Sequence, residues 1–327
     1  MLDEKYFNGI GDTSQMDEET WLSLRRNYIG GSDAGAVAGL NPYRSALNVY
    51  MEKTTIREEE EDANPKRERK LWYGRRAEAL VAELFEKETG KHVLNNTNMM
   101  VSREHPFMLA DIDREIEGEN AILECKTAST YAKDQWEDGG VPVSYELQCH
   151  HYMAVTGADR VYIACLMGAG DEFYVRTIDR DEDTIELLVD AEKEFYECLQ
   201  NHVMPPVDGS STYSDALKER YPEEDPGEVI TIDPHEVNVK RYFELKEQEK
   251  ILHEEAEKVV QAIQQKMGTA ERATIGNYEA RWKSVTSHRV DTKALKKENP
   301  DIAKQYEKES TSRRFTLKET TPKEDEE

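Results

Sequence analysis

The chain has 327 residues, of which 37% are hydrophobic and 34% charged, with a formal net charge of −25. That length suits one large domain with an extension, or two domains, and leaves enough apolar side chains for a core beneath a very polar surface. The charge excludes a generic nucleic-acid coat protein, which is basic overall, but not an enzyme with a metal site or a local basic groove inside an acidic envelope.

No apolar run approaches the ~18 residues of a membrane span. The N-terminus lacks the charged and apolar regions of a signal peptide. A cytoplasmic protein without a membrane partner is therefore expected. Cys125, Cys149, Cys165 and Cys198 are widely spaced with no CxxC, so they read as reduced thiols and not as a disulfide frame or zinc site.

In chain order, residues 1–16 are polar and read as loose. A helix-like segment opens at Trp21 and runs into Arg25 and Arg26. Gly30-Gly31 then punctuates the chain, and Ser32 or Asp33 can cap the helix that follows. Two readings fit that start: a phosphate seat with Arg25 beside it, or a merely capped helix. A second short helix spans Ala46 to Lys53. Residues 55–70 form a charge run expected to be a solvated loop.

Helix signals resume at Gly74. Ala77, Leu80, Val81, Leu84 and Phe85 follow the spacing of a buried face. Glu78 lies at the edge of that stripe, and a carboxylate drawn toward an interior needs a partner. It is equally placed to serve as an acid in the first turn, favoured by the helix dipole.

A strand is expected near His92 to Val101, then a hairpin over Phe107 to Thr127. A two-residue loop at Gly118-Glu119 suits a primed turn. It pairs Glu117 with Asn120 and sets Asp113 opposite Glu124. Like charges directly opposite destabilise a sheet, so the facing carboxylates call for a cation. Lys126 shares a face with Glu124 because side chains alternate along a strand. Two acids and an ammonium beside a turn suit a hard divalent ion such as Mg²⁺; an acid-rich surface hairpin is the plainer alternative, although Ile122 and Leu123 before Glu124 belong to an interior.

Residues 128–143, with Trp136 and Gly139-Gly140, read as a mobile substrate-facing loop. Tyr145 to Val155 reads as a helix with Gln148 and Tyr152 on one face. The adjacent His150 and His151 point in different directions on a helix, which suits packing or phosphate contacts better than a shared metal. Strands at 160–167 and 172–178 and a helix over 181–203 complete an α/β layer.

Four prolines mark 204–227 as a linker, and a long helix is expected from Pro234 to Met267 with an apolar seam at Leu245, Leu252, Val259, Ile263 and Met267 that packs on the rest of the protein or on a partner. A hairpin about Gly276-Asn277, a helix capped by Asp291 and a strand at 313–318 follow. From Gly276 to Lys318 there are 11 Lys/Arg against 6 Asp/Glu, an inversion of the overall charge that marks a candidate nucleic-acid face or an ordinary fluctuation of charge. The expected organisation is a core domain over 17–205, a linker over 206–228, an α+β extension over 229–320 and an acidic tail over 321–327.

The blocks GGSDAGAVAGLNPYRS, GRRAEALVAELFEKETG, the hairpin with Asp113, Glu124 and Lys126, and YELQCHHYM stand in that order. Together, over roughly residues 20–205, they resemble the YqaJ-like phage recombination nucleases, relatives of phage lambda exonuclease in the PD-(D/E)xK superfamily. The resemblance implies a restriction-endonuclease-like α/β core with a mixed central sheet flanked by helices. It implies that Asp113, Glu124 and Glu78, with the Cys125 carbonyl, hold Mg²⁺ (or Mn²⁺ in its place). Lys126 becomes the motif lysine, Gln148 and Tyr152 the Q-x₃-Y element, expected to bind DNA or phosphate, and Arg25 and Ser32 the holders of a terminal 5′-phosphate.

The implied activity is 5′–3′ exonuclease action on double-stranded DNA ends, leaving 3′ single strands for recombination. The implied partners are DNA ends, a single-strand annealing protein and further copies of the chain in a trimer, all in the bacterial host cytoplasm. A structure-selective endonuclease and an inactive DNA-binding scaffold are the alternatives. Two positions depart from the family pattern. Asp111 is an acid where a small or amide residue is usual, and would repel a phosphate; Arg114 replaces the more frequent Gly.

Overall fold

The computed structural model describes residues 1–55, 65–168, 170–309 and 311–320. Their contacts divide the chain into two units, Met1–Tyr221 and Pro222–Glu327. The first unit opens with β1 (Phe7–Asp12), α1 (Glu18–Arg26), β2 (Ile29–Gly30), α2 (Gly31–Val37), α3 (Ala46–Thr54) and α4 (Pro65–Thr89). Five short strands follow: β3 (Val93–Asn95), β4 (Asn98–Ser102), β5 (Met108–Ala110), β6 (Arg114–Ile116) and β7 (Ala121–Ala128). Then come α5 (Val143–Thr156), β8 (Arg160–Met167), β9 (Glu172–Asp179), α6 (Glu182–Gln200) and α7 (Ser211–Arg220).

The central sheet has the order β3-β6-β7-β8-β9. Within it only β7 and β8 run parallel, because only they are joined by a helical crossover, α5. The mixed sheet flanked by helices is thus the one the sequence implies. β7 is apolar on both faces, as a strand covered on both sides must be. Ala121 and Leu123 pack with Val81 and Phe85 of α4. Ile122, one residue out of phase, joins Cys149 and Met153 of α5.

Pro65 starts α4 where a missing N–H costs nothing, and Gly90 closes it with φ +71°. Ala77, Val81 and Phe85 are buried as expected, whereas Leu80 is 48% exposed. Residues 65–70 are the first turns of this helix and not a loop; the rest of the charge run, 56–64, lies outside the described residues.

The hairpin of β6 and β7 has the expected register, with Arg114 opposite Leu123 and Glu115 opposite Ile122. Its turn is wider than a two-residue loop. The Ile116 carbonyl accepts from the Glu119 N–H at 3.3 Å. Glu117 and Asn120 are drawn apart: the Glu117 N–H bonds the His92 carbonyl at 2.9 Å, while the Asn120 amide donates to the Gly157 carbonyl at 2.9 Å.

A second sheet, β1-β4-β5-β2, corrects two expectations. Residues 7–12 are not loose but form an edge strand on β4, anchored by Phe7 in the core beside Met100 and Met108. The single strand expected near 92–101 is two, because Asn96 turns the chain by accepting the Asn98 N–H on its side chain at 2.7 Å. The expected mobile loop at 128–143 is pinned as well. Trp136 is fully buried beside Tyr145 and Tyr174, and its carbonyl accepts from Arg176 at 2.6 Å.

Two buried ionic contacts bind helices. His151 Nδ1 meets Glu192 Oε1 at 2.8 Å across α5 and α6, and its Nε2 meets the Leu109 carbonyl at 2.9 Å. Of the two roles expected for the histidine pair, packing or phosphate contacts, His151 has the packing one; His150 is buried as well. Asp33 of α2 meets Arg44 at 2.8 Å and Lys53 at 2.9 Å, and takes the Gly30 N–H at 3.1 Å.

The segment 206–228 holds α7, whose Tyr213 and Ala216 pack with Phe195. In the second unit α8 (Val239–Met267) is capped by Asn238 and starts later than the sequence suggests, followed by β10 (Arg272–Ile275), β11 (Tyr278–Arg281), α9 (Thr292–Glu298) and α10 (Pro300–Gln305). Along the α8 seam Leu245, Leu252 and Val259 are exposed, whereas Ile263 is half-buried and Met267 buried. The hairpin about Gly276-Asn277 and the Asp291 cap are where the sequence places them; residues 313–318 form no strand. No helix among the described residues is long and apolar enough to cross a membrane.

Candidate active site

Strand alternation sends Leu123 toward α4 and Glu124 toward α5. Glu124 is 3% exposed, and its Oε1 accepts from Lys126 Nζ at 2.5 Å and from Gln148 Nε2 at 2.8 Å. Gln148 also accepts from Lys126 Nζ at 2.9 Å and donates to the Tyr152 hydroxyl at 2.9 Å. Tyr152 in turn donates to the Asp111 carbonyl at 3.2 Å. The ammonium of Lys126 sits 4.9 Å from the Tyr145 ring centroid. Gln148, backed by Tyr152, therefore holds the strand pair Glu124 and Lys126 in one orientation, a positioning contact and not the DNA or phosphate contact expected of these two residues.

Asp113 stands just before β6. Its Oδ2 accepts the Cys125 N–H at 2.6 Å, which brings it to β7 opposite Glu124. Glu78, one turn into the packed half of α4, reaches the same place. Glu78, Asp113, Glu124, Cys125 and Lys126 together line a cleft of about 240 Å³. A larger polar cleft of about 540 Å³ shares Glu78 and Asp113 with it and adds Trp21, Asp111 and Arg114.

Acid exceeds base here. Burial, then the charges of Glu124 and Glu78, push the Asp113 carboxyl well above its ordinary range. Burial likewise raises Glu124 against the pull of Lys126. Burial would lower Lys126, but Glu124 and Asp113 outweigh it and raise its pKa, so the amine stays protonated. The second oxygen of Glu124, Oε2, is buried with no hydrogen-bond partner among the described residues. A buried acceptor without a donor is costly, and a hard cation supplies what it lacks.

Glu78 is not left free. Its Oε1 accepts from Arg114 Nη1 at 2.5 Å, and the same guanidinium donates to the Asp113 carbonyl. The departure at Arg114 thus supplies a counter-charge for Glu78. Among the described residues no three His, Cys, Asp or Glu side chains stand at metal-holding spacing. The three carboxylates share a cleft, but a metal shell would require Glu78 to exchange Arg114 for the ion. The donor set still fits one: carboxylates of Asp113, Glu124 and Glu78, with the Cys125 carbonyl, are the hard oxygens that Mg²⁺ takes.

Arg25 and Ser32 are together: Arg25 Nη2 donates to Ser32 Oγ at 2.9 Å. The Arg25 guanidinium lies over the Trp21 ring at 4.4 Å, and Trp21 Nε1 donates to Asp111 Oδ2 at 2.9 Å. Asp111, the acid expected to repel a phosphate, is engaged by that indole. Trp21 itself was legible as the i, i+4 partner of Arg25 on α1. Gly31 closes the link to the catalytic face, since a Cβ there would stand 2.5 Å from the Tyr152 ring.

A family model described as a YqaJ-like viral recombinase domain matches residues 20–159. The uncharacterized protein YqaJ of Bacillus subtilis (strain 168) is 36% identical over 319 residues, which is 95% of this chain and 98% of that protein. Protein D345L of African swine fever virus is 36% identical over 53 residues, 16% of this chain and 15% of its own. Among solved structures, an alkaline exonuclease (LHK-Exo) from Laribacter hongkongensis superposes with a TM-score of 0.46 at 18% identity, covering 56% of this chain and 93% of its own. A phage related exonuclease from Haemophilus somnus 129PT gives 0.37 at 16% identity, over 56% and 99%.

Proposed function

Because the chain belongs to the YqaJ-like viral recombinase family, we propose that it is a metal-dependent exonuclease that hydrolyses double-stranded DNA from its ends, 5′ to 3′. The observation that carries the reading is the single cleft lined by Glu78, Asp113, Glu124 and Lys126, with Glu124 Oε2 lacking a donor among the described residues.

Asp113, Glu124 and the Cys125 carbonyl would hold the ion, with Glu78 once it exchanges Arg114 for it; Mg²⁺ or Mn²⁺ there would polarise the scissile phosphate and lower the pKa of a water. Lys126, held by Glu124 and Gln148, orients or activates the attacking water and offsets charge developing on the phosphate. Gln148 fixes Lys126 and Glu124 relative to each other. Arg25 and Ser32 hold the terminal 5′-phosphate, with Trp21 and Asp111 setting the pose of Arg25. The 3′ single strand left behind is the substrate of an annealing protein, and the working form is a trimer, which size-exclusion light scattering tests.

The decisive assay is digestion of linear duplex labelled at either the 5′ or the 3′ end, with a covalently closed circle alongside, with and without Mg²⁺. Release of the 5′ label from linear DNA alone, in Mg²⁺ alone, is the expected result. Cutting of the circle would make the protein an endonuclease, and cutting in chelator would remove the metal from the account.

A further inference from the structure

The second unit carries a feature that the nuclease site does not use. β10 and β11 form a two-stranded sheet with no third strand among the described residues. Its register sets Arg272 directly opposite Arg281 and Ile275 opposite Tyr278. One pair further out, the Trp282 N–H bonds the Glu271 carbonyl at 2.8 Å. Period-two alternation then divides the ribbon. Arg272 and Arg281 lie on one face. Tyr278 and Trp282 lie on the other, four residues apart along β11 and therefore about 13 Å apart.

Both faces are open. Tyr278 is 78% exposed and Trp282 48%. Large aromatic rings exposed on one face, beside Ile275 opposite Tyr278, mark a recognition surface. Like charges directly opposite on paired strands destabilise the pair. Among the described residues only Arg281 of the pair is met by a neighbouring acid, Glu279, so the two arginines favour an anion between them. The ribbon itself carries two Arg and two Glu over 271–282, and the chain from Gly276 to Lys318, most of which follows it, has 11 Lys/Arg against 6 Asp/Glu within a molecule of net charge −25.

We propose that the β10–β11 ribbon binds single-stranded DNA, with bases stacked on Tyr278 and Trp282 on one face and phosphates meeting Arg272 and Arg281 on the other, where the flexible strand wraps the ribbon's edge. Phosphate contacts alone would serve duplex and single strand equally. The exposed rings decide for the single strand, whose bases offer free faces that a duplex hides. The inference rests on the proposed exonuclease reading for the origin of that strand, the one left when its complement is digested.

The test uses the full chain in chelator, so that no hydrolysis occurs, with dye-labelled oligo(dT) and a duplex of equal length read by fluorescence anisotropy. Replacing Tyr278 and Trp282 together by Ala should weaken oligo(dT) binding by about tenfold or more while duplex binding holds. Trp282→Phe, which keeps a stacking face, should retain most of the affinity, a rescue that a merely structural role would not give. Arg272→Gln with Arg281→Gln should lower the salt slope of oligo(dT) binding by roughly 0.7 for each phosphate that is no longer neutralised. Unchanged oligo(dT) affinity in the double Ala variant, or equal losses for duplex and single strand, overturns the proposal. Hydrolysis is read separately in Mg²⁺. If the wild type cuts no DNA but the ribbon variants lose oligo(dT), the nuclease reading falls and the ribbon stands; the converse result drops the ribbon alone.

Discussion

Two buried charge clusters in the first unit are built from similar parts and come out opposite. Around Asp33 the chain supplies its own balance. Arg44, Lys53 and the Gly30 N–H meet the carboxylate, and although burial alone would raise its pKa, Lys53, Arg44 and Arg25 outweigh that and hold it far below the usual range. Around Asp113 and Glu124 the balance is withheld. Three acids face Lys126 and Arg114, Asp113 and Glu124 are both raised, and one carboxylate oxygen has no partner among the described residues. Balanced buried charge joins elements of a fold, whereas we read the acid excess held open to a cleft as the proposed seat of an external cation. Strongly perturbed groups cluster at functional sites, but the sign of the perturbation separates these two.

The contrast breaks most visibly in activity. Lys126→Ala should lower kcat on linear duplex DNA by roughly 10²–10³-fold or more, measured on protein that circular dichroism shows to be folded. Stability answers next. Asp33→Ala leaves Arg44 and Lys53 without their shared partner and should cost about 3–5 kcal/mol, read by urea unfolding in the absence of divalent ions.

A pH series sharpens the same point. Asp33 has a depressed pKa in the fold, so its contribution is complete above the unfolded carboxylate value of ~3.9 and is lost as pH falls below it. The gap in thermal midpoint between wild type and Asp33→Ala should therefore stay constant above about pH 5 and close toward pH 2. The smallest effect belongs to Glu124→Gln, whose amide keeps hydrogen-bonding capacity and removes one surplus charge. Its stability without divalent ions should lie within about 1 kcal/mol of wild type, measured by the same urea titration.

Much of this cluster was legible in the sequence, because a strand pair with period-two alternation has few degrees of freedom. The turn at Gly118 sets the register that brings Asp113 to β7, and Gln148 and Tyr152 share a helix face at i, i+4. Long-range partners were not legible. Nothing local tells that Arg114 reaches back across the cleft to Glu78 on α4, or that Asp111 is taken by Trp21, since each pairing depends on how separate elements stack. The same limit hid the second sheet. β1 and β5 are short, and only the cross-strand contacts of Phe7 with Met100 and Met108 reveal why polar residues 7–12 are ordered. Trp136 looked like a loop residue because its cover, Tyr145 and Tyr174, comes from later in the chain.

The central claim is that Asp113, Glu124 and Glu78 together bind a divalent cation. Calorimetric titration of Mn²⁺ into the wild type and into Glu124→Gln tests it without recourse to turnover. Saturable binding to the wild type that is lost or weakened by at least about tenfold in Glu124→Gln is the predicted result. No binding to the wild type, or equal affinity in the two proteins, would contradict it.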